Sequence, residues 1–387
     1  MNVSLQASCE KLLAVAASSV LPTLIPLKGQ AFDWGFEYDF FAKFPCEEGV
    51  LLLITEEMRR LIQQNIPFET LEMVPANAES FFKKKYPDLA AACAEYPGNV
   101  VPLCKFGNFY DICPQPLLET SRDIGAFTLY EMFFLPDSIV RIRGKAFEDK
   151  KEVKPFLKQV ERAKASDPIV LAEKEDILTY NEGLVTWQAA GIAFQKRLNA
   201  TISKGFEEIF CVEPREGVDA LWDSYKAKNK PLPYRFYQAL IRENEESDGL
   251  FLVHEASSCV QYTYCQPMKL QEELISSLQF MKKIASILGM ESNFLLLQRG
   301  KVEDKALVSA LNEAGYPFET GRSDATQIEL HLKDQRGRSW PLSKLTLMQK
   351  AVPLIECVPI LSYERVVALL LEKGTALDNI NEGRTNT

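Results

Sequence analysis

The chain has 387 residues, of which 47% are hydrophobic and 25% are charged, so it can bury a sizeable core and is long enough for two domains. Its 44 basic and 53 acidic residues give a formal net charge of -9. This acidic balance argues against broad electrostatic binding of nucleic acid, although it is compatible with a local basic groove.

Nine cysteines are scattered along the chain without a CxxC pair, a pattern typical of free thiols in a reducing compartment. The apolar N-terminal stretch is interrupted by Glu10 and Lys11 and has no basic region before it, which predicts an amphipathic helix and not a signal peptide. Because no apolar run is long enough to span a bilayer, we expect a cytoplasmic protein without a membrane partner.

Hydrophobic periodicity and turn residues predict a mixture of helices and strands, that is, an α+β protein. The predicted helices lie at residues 5–17, 56–65, 78–85, 147–165, 187–204, 269–288 and 363–373. Strands are predicted at 32–41, in short runs between 100 and 130, in a pair between 232 and 265, and at 328–332. The charged helix 147–165 is expected to join two halves, with a boundary near Ser166.

Five segments of the first half carry a resemblance to a known domain. They are GFEYDF (35–40), ITEEMRRLIQQNIPFE (54–69), GNFYDICPQPL (107–117), IGAFTL (124–129) and RIRGKAF (141–147). In this order they resemble the second additional, or editing, domain shared by threonyl- and alanyl-tRNA synthetases. The shared order supports the resemblance, because accidental matches have no reason to keep sequence order. The resemblance implies an editing-type α+β domain over residues 1–150.

In that family, two helical histidines and a later cysteine and histidine form the site that hydrolyses mischarged tRNA. Ala7 and Lys11 stand at the positions of the helical histidines, and Leu117 stands at the position of the last one. Only Cys113 is retained. Since a thiol without an imidazole has neither an activating base nor fellow metal ligands, we interpret Cys113 as the remnant of an editing site, now a small buried apolar residue.

The second half resembles the class II synthetase core of the same family. The matching segments are GLVTWQAAGIAFQKRL (183–198), KGFEEI (204–209) for motif 1, LPYRFYQALIREN (232–244) for motif 2 and ILSYERVVALLLE (360–372) for motif 3. The resemblance implies a linker helix over 151–180, a degenerate catalytic core over 181–374 with an antiparallel sheet flanked by helices, and a disordered tail over 375–387.

In a working core, the arginines of motifs 2 and 3 hold the two ends of ATP, because a guanidinium can clamp phosphate oxygens with parallel donors. Arg242 and Arg365 stand at those positions, and Glu243 follows the first of them. The resemblance therefore implies Arg242, Glu243 and Arg365 as nucleotide-binding residues, with ATP and magnesium as ligands. The sequence leaves open the alternative that each arginine forms an ion pair with a nearby glutamate.

Other residues of the core depart from the family pattern. In motif 2 the acidic residue is displaced by one position, so that Asn244 follows Glu243, and His254 replaces a second arginine. The family binds zinc through one cysteine and two histidines, but the stretch 222–232 has no cysteine, and Tyr262 and Glu356 stand where the histidines belong. We therefore expect no zinc site.

Two classes of function follow from this pattern. We favour a threonyl-tRNA synthetase paralogue without catalytic activity that binds or regulates an unidentified protein partner, since a fold can be reused without its site. The alternatives are a repurposed ATP-dependent, adenylate-forming ligase for a substrate other than threonine, and a tRNA- or ribosome-associated binding module. The module would use a basic strip of Lys83, Lys84, Lys85 and Lys105, but the acidic balance makes tRNA the less favoured partner.

Class II cores usually pair through motif 1, so a homodimer is compatible with the resemblance. The predicted helix 187–204 offers an apolar stripe that could serve such an interface. The same stripe could instead face the core of its own domain, and this is the interpretation we favour. Its residues are Ile192, Phe194, Leu198 and Ile202.

Overall fold

The structure, a computed structural model, describes residues 3–44, 49–84, 86–135, 137–208, 214–227, 231–291, 293–300, 305–323, 325–348, 352–375 and 377. Most of the predicted tail, residues 378–387, lies outside these ranges. The chain divides into two compact units, Met1–Glu161 and Arg162–Thr387. Each unit has a hydrophobic core of its own.

The first unit combines two antiparallel sheets with helices. Its larger sheet has the strand order β1-β2-β7-β6 and its smaller sheet the order β3-β4-β5. The elements are α1 Val3–Val20, β1 Leu24–Ala31, β2 Phe36–Ala42, α2 Val50–Gln63, β3 Phe68–Met73, α3 Pro75–Phe82, α4 Pro87–Ala94, β4 Val101–Phe106, β5 Phe109–Ile112, β6 Ala126–Leu135, β7 Ile139–Phe147 and α5 Val153–Ala165, which continues past residue 161.

Strand β2 explains how the core of this unit is organised. Its side chains alternate, as the sequence predicts, and those on one face are fully buried against α1 and α2. The other face was expected to be solvated but is buried too, because Arg143 donates to Glu37 over 2.8 Å and Arg141 donates to Asp39 over 2.7 Å. The apolar face is formed by Phe36, Tyr38 and Phe40.

The second unit is organised around one sheet of eight strands in the order β10-β11-β12-β17-β16-β15-β13-β14. The two outermost pairs are parallel and the inner pairs are antiparallel. The elements are α6 Pro168–Lys174, β8 Leu178–Asn181, β9 Leu184–Trp187, α7 Ala189–Ile202, β10 Glu207–Glu208, α8 Pro214–Ala227, β11 Tyr234–Glu243, β12 Glu255–Tyr264, α9 Leu270–Ile287, β13 Asn293–Arg299, α10 Lys305–Ala314, β14 Phe318–Arg322, β15 Gln327–Lys333, β16 Ser339–Met348, β17 Leu354–Ile360 and α11 Tyr363–Glu372.

This sheet brings the predicted motifs together. The motif 2 strands β11 and β12 form an antiparallel pair, and β12 also pairs with β17, which leads directly into the motif 3 helix α11. Helix α7 buries Phe194, Leu198 and Ile202 in the core of the unit, whereas Ile192 is 41% exposed. Most of the apolar stripe of α7 is therefore the core face, as favoured from the sequence.

The α+β fold class and the antiparallel sheet flanked by helices are confirmed. Some element predictions are wrong. Strand β1 was not predicted, and the helix expected from Phe147 begins only at Val153 because β7 runs to Phe147. None of the helices among the described residues has the length and apolar content needed to cross a lipid bilayer.

Candidate functional sites

The first candidate site lies between α1 and β5, where the side chain of Lys11 is enclosed. Its Nζ donates to Glu10 Oε1 over 3.0 Å, to Asp111 Oδ2 over 2.8 Å and to the Ile112 carbonyl over 3.1 Å. The Tyr38 hydroxyl donates to the same Asp111 oxygen over 2.9 Å. Lys11 is only 2% exposed, so its charge is compensated by protein groups and not by water.

The two helical positions at which the resemblance implies histidines lie on one buried face of α1. Ala7 and Lys11 are four residues apart and are 0% and 2% exposed. Leu117, at the position of the last histidine, is half buried at the edge of the core. Since both histidines of the chain, His254 and His331, follow residue 161, the first unit contains no imidazole at all.

One ammonium between two carboxylates determines the electrostatics of this site. Burial disfavours the charged form of Glu10, and the nearby charge of Asp111 adds to this effect, so the pKa of Glu10 is raised to about 8. Burial alone would lower the pKa of Lys11, but attraction to Glu10 and Asp111 outweighs it and raises that pKa above its ordinary value. Lys11 therefore remains a cation at every physiological pH.

The Glu10 side chain requires a glycine beside it. A Cβ atom at Gly29, on β1, would lie 1.4 Å from Glu10 Oε1. A substitution there would displace Glu10 and with it the hydrogen bond to Lys11. Gly29 is therefore part of the architecture that keeps the buried charges together.

Cys113 lies beside this cluster and is 6% exposed. A hydrogen bond from Cys104 favours its thiolate, and the ammonium of Lys11 adds to the effect against the opposing effect of burial, so the pKa of Cys113 is lowered to about 7. The same hydrogen bond raises the pKa of Cys104. Cys113 is buried, as expected, but its surroundings are polar and not apolar.

A cavity of about 670 Å³ opens next to these residues. Lys11, Tyr38 and Asp111 line it, but Glu10 does not. The other walls are largely apolar and aromatic and include Phe109 and Tyr110. The volume lies in the range of small-molecule sites, which are typically about 300 to 1,000 Å³.

Tyr38, Glu10 and Asp111 were not predicted as members of this site. The signal for Glu10 was present, because Glu10 and Lys11 interrupt an otherwise apolar helix and charges on a buried helix need partners. Nothing local singled out Asp111, which is 100 residues from Lys11 in sequence.

The second candidate site is a pocket of about 240 Å³ in the second unit, and both predicted arginines line it. Arg365, on α11, donates from Nε to the Phe251 carbonyl over 2.7 Å and from Nη1 to the Pro341 carbonyl over 2.5 Å. It is 8% exposed and lies 5.3 Å from the centre of the Trp340 ring. Burial lowers the pKa of Arg365 to about 10, so it is still charged at neutral pH.

Arg242, near the end of β11, is half buried and donates from Nε to Ser258 Oγ over 3.0 Å. Among the described residues, no carboxylate lies within 4.0 Å of either arginine, which contradicts the ion-pair alternative. Glu364, the nearest candidate in sequence to Arg365, instead accepts from the Ser257 backbone over 3.1 Å.

The other motif 2 residues take different places. Glu243 is exposed and faces Glu255 across the strand pair, and it is not part of the pocket lining. Asn244 does line the pocket and donates from its side chain to the Val253 carbonyl over 2.7 Å. His254 Nδ1 lies 3.1 Å from the Asn244 carbonyl. Of the three predicted nucleotide-binding residues, the structure brings together Arg242 and Arg365.

The positions of the zinc histidines also meet in space. Tyr262 on β12 and Glu356 on β17 are cross-strand neighbours, and Tyr262 is 3% exposed within an aromatic cluster. A phenol and one carboxylate do not form a zinc site, which needs three or four nitrogen, sulfur or carboxylate ligands. Across the described ranges, no group of three His, Cys, Asp or Glu residues could hold a metal ion. Residues 228–230 lie outside those ranges.

The basic strip considered for tRNA is partly neutralised. Lys105 pairs with Glu69 over 2.7 Å and Lys83 pairs with Glu79 over 3.4 Å. Lys85 lies outside the described residues. The two described pairs reduce the positive charge that phosphates would meet.

No family model matches the chain. Among curated proteins, it is 24% identical over 412 residues to the threonine–tRNA ligase of Lawsonia intracellularis, covering 88% of this chain and 64% of that protein. It is 25% identical over 403 residues to the threonine–tRNA ligase of a Geobacter species, covering 86% of this chain and 63% of that protein. The chain thus spans less than two thirds of the length of these relatives.

Among known structures, the RNA binding domain of threonyl-tRNA synthetase from Cryptosporidium parvum matches with a TM-score of 0.46 and 18% identity, covering 54% of this chain and 72% of that one. Because the alignments cover 86 to 88% of this chain, the sequence similarity to threonine–tRNA ligases extends into both units. In sequence, the chain is therefore similar to threonine–tRNA ligases along most of its length.

Proposed function

We propose that this chain is a threonyl-tRNA synthetase paralogue that neither edits nor threonylates tRNA and acts instead as a binding or regulatory protein. The observation that carries the proposal is the buried Lys11 ammonium, held by Glu10 and Asp111 at a position where the resemblance requires a histidine. A cation with a raised pKa cannot accept a proton from water, so it cannot replace an imidazole as a general base.

The remaining groups of the first site are not placed to act as a general base. Asp111 already accepts hydrogen bonds from Lys11, Tyr38 and the Ile112 backbone, so its oxygens are engaged by the protein. Glu10, whose pKa is near neutrality, does not line the cavity. Cys113 can form a thiolate, but no imidazole accompanies it in the first unit. The cavity therefore supports binding better than hydrolysis.

The second unit supports the same proposal. Threonine selection in the family uses zinc, and the Tyr262 and Glu356 pair does not provide its ligands. We expect no exchange of pyrophosphate into ATP with threonine, and no hydrolysis of mischarged tRNA. Both assays should include a threonine–tRNA ligase as the positive control, and turnover by this chain above background in either assay would reject the proposal.

A second candidate function is an adenylate-forming ligase that uses ATP and magnesium to activate a different carboxylate. It is favoured by one observation, that Arg242 and Arg365 line the same pocket. Titration calorimetry with ATP and magnesium tests it, since such an enzyme must bind both. The engagement of Arg365 by two backbone carbonyls weakens this candidate, because fewer of its donors are free for phosphate.

The partners and location belong to the same proposal. We expect an unidentified protein partner and a cytoplasmic location, and a homodimer is compatible with the fold class. tRNA is less favoured, because the chain carries a net charge of -9 and Lys83 and Lys105 are engaged in ion pairs. Analytical ultracentrifugation of the full chain would determine whether it dimerises.

A further inference from the structure

The cavity of about 670 Å³ in the first unit combines apolar walls with one group of hydrogen-bonded polar side chains. This polar group consists of Lys11, Tyr38 and Asp111, which are joined by hydrogen bonds from Lys11 Nζ and the Tyr38 hydroxyl to Asp111 Oδ2. Its remaining hydrogen-bonding capacity decides which ligand the cavity can hold, because a buried polar atom without a partner is costly.

The ammonium of Lys11 is not available to a ligand. Its three N–H donors go to Glu10, to Asp111 and to the Ile112 carbonyl. The side chain is 2% exposed, so an anion cannot reach it without displacing one of these partners. The positive charge of Lys11 therefore does not draw an anion into direct contact.

Asp111 is the accessible member of the polar group. Its side chain is 12% exposed, whereas the Lys11 side chain is 2% exposed and Tyr38 is 1% exposed. Asp111 Oδ2 accepts from Lys11 and Tyr38, and Oδ1 accepts from the Ile112 backbone N–H over 2.8 Å. Within the described ranges no further donor reaches Oδ1, and a carboxylate oxygen has two lone pairs, so Oδ1 can accept one more hydrogen bond. The polar group thus fits a ligand that donates.

A cationic donor is disfavoured at this position. The Lys11 ammonium lies 2.8 Å from Asp111 Oδ2 and already compensates the carboxylate charge. A second cation beside Asp111 would be repelled by Lys11 at short range, where little water is present to screen the two charges. The donor is therefore an uncharged N–H or O–H group.

The walls of the cavity determine the shape of the ligand. Apolar and aromatic side chains come from Ile25 on β1, from Leu89 on α4, and from Phe109 and Tyr110 on β5. The ring of Tyr86 also lines the cavity, with its centre 6.2 Å from that of Tyr110. Aromatic walls favour flat rings that stack on them, and the volume leaves room for a ligand of two or more rings.

We propose that this cavity binds an uncharged aromatic molecule whose N–H or O–H group donates to Asp111 Oδ1 while its rings pack against Phe109 and Tyr110. The proposal deepens the function proposed above and rests on it, since both treat the cavity as a binding site. The ligand class differs from the end of a mischarged tRNA, which carries phosphate charges that the enclosed Lys11 does not meet.

Equilibrium dialysis of the full chain against 2-naphthol at about pH 7 tests the proposal. 2-Naphthol has two fused rings and one O–H donor, and a phenol is uncharged at this pH. We expect saturable binding at one site. 2-Methoxynaphthalene has the same rings without the donor and should bind about fivefold more weakly, which is the effect of one hydrogen bond. Absence of 2-naphthol binding, or equal binding of 2-methoxynaphthalene, would overturn the proposal.

Two neighbouring alanines on α4 provide a matched pair of variants. Ala92 lines the cavity and Ala91 does not, although both are exposed. Ala92→Trp places a large ring in the cavity and should weaken 2-naphthol binding at least about tenfold, whereas Ala91→Trp should bind it like the wild type. Urea unfolding of both variants checks that they fold, as expected for substitutions at exposed positions. Similar affinity for 2-naphthol in the two variants would place the ligand elsewhere and reject the proposal.

Two charged probes test the ligand class. 2-Naphthoate carries an anion in place of the donor, and adenosine monophosphate is a nucleotide of the kind found in RNA. We expect each to bind at least about tenfold more weakly than 2-naphthol, because the Lys11 ammonium is enclosed and fully bonded. Tighter binding of 2-naphthoate would assign the cavity to anions, and tighter binding of adenosine monophosphate would assign it to RNA, so either result rejects the proposal.

The two proposals fail in different experiments. Turnover in pyrophosphate exchange or in hydrolysis of mischarged tRNA rejects the function proposed above, and dialysis measures neither reaction. A chain without turnover that also fails to bind 2-naphthol would reject this ligand class alone.

Discussion

The two candidate sites each lack residues of the family pattern that the sequence resembles, yet they differ in how their charges are balanced. In the first unit, Lys11 is bonded to two carboxylates and is only 2% exposed. In the second unit, Lys344 on β16 and Arg242 line a pocket, and Lys344 interacts electrostatically with Glu329 across a strand pair. In the first site the protein itself balances the charge of Lys11. In the second site the positive charges of Lys344 and Arg242 are accessible from the pocket.

The difference follows from solvation. A charge removed from water must be compensated by the protein, because an isolated buried ion is very costly. Lys344 is half buried at an open pocket, where water can solvate it, so it needs no counterion in direct contact. The same residue type is therefore enclosed by the fold in one unit and solvated at a pocket in the other.

Substitution of Lys11 should have the largest effect. Lys11→Met leaves the buried Asp111 and Glu10 side chains without their cation, and we expect the free energy of unfolding to fall by about 3 to 5 kcal/mol. Urea unfolding measures this loss, with Lys83→Met as the control. Lys83 pairs with Glu79 on the surface at 74% side-chain exposure, so its loss should cost less than about 1 kcal/mol. Equal losses of unfolding free energy in Lys11→Met and Lys83→Met would contradict the assignment of Lys11 to a buried, compensated site.

Substitution of the two arginines of the second unit should lower the stability by different amounts. Arg365→Met removes two hydrogen bonds to buried carbonyls and should lower the free energy of unfolding by about 3 kcal/mol. Arg242→Met removes one hydrogen bond from a half-buried side chain and should cost about 1 kcal/mol. If urea unfolding gives the larger loss for Arg242, its assignment as a ligand contact is wrong.

The pH dependence of stability tests whether Glu10, the second acidic group beside Lys11, is protonated in the folded protein. The pKa of Glu10 is raised from 4.5 to about 8 in the fold, so its contribution to stability is fully present below pH 4.5 and is lost as the pH rises to about 8. The slope is at most about 1.4 kcal/mol per pH unit. In urea titrations between about pH 5 and 7, Glu10→Gln should remove this slope.

The titration interval of about pH 5 to 7 is chosen because Cys113 affects the stability at higher pH. Its pKa is lowered from 9.0 to about 7, so its contribution is present above pH 9 and is lost as the pH falls through about 7. Between about pH 7 and 8 the two groups thus act in opposite directions. An unchanged slope between pH 5 and 7 in Glu10→Gln would mean that Glu10 is ionised throughout, and that Lys11 fully compensates both carboxylates.

Much of the fold could be predicted from local sequence signals. Strand β11 and helix α11 were predicted from alternation and helical periodicity, whereas Arg242 and Arg365 were implied by the resemblance to motifs 2 and 3. Strands β16 and β17 were missed, and Lys344 with them. Pro341 lies inside β16, and prolines are rare within inner strands, so the local signal argued against a strand there.

The sequence by itself determined which residue types stand where the resemblance implies histidines, and it determined that the first unit contains no histidine. Only the tertiary structure decided how the remaining charges are compensated. Asp111 reaches Lys11 across 100 residues of chain, whereas Glu329, next to Lys344 across a strand pair, accepts its hydrogen bonds from other residues. Charge compensation depends on distance and access to water, and sequence order specifies neither.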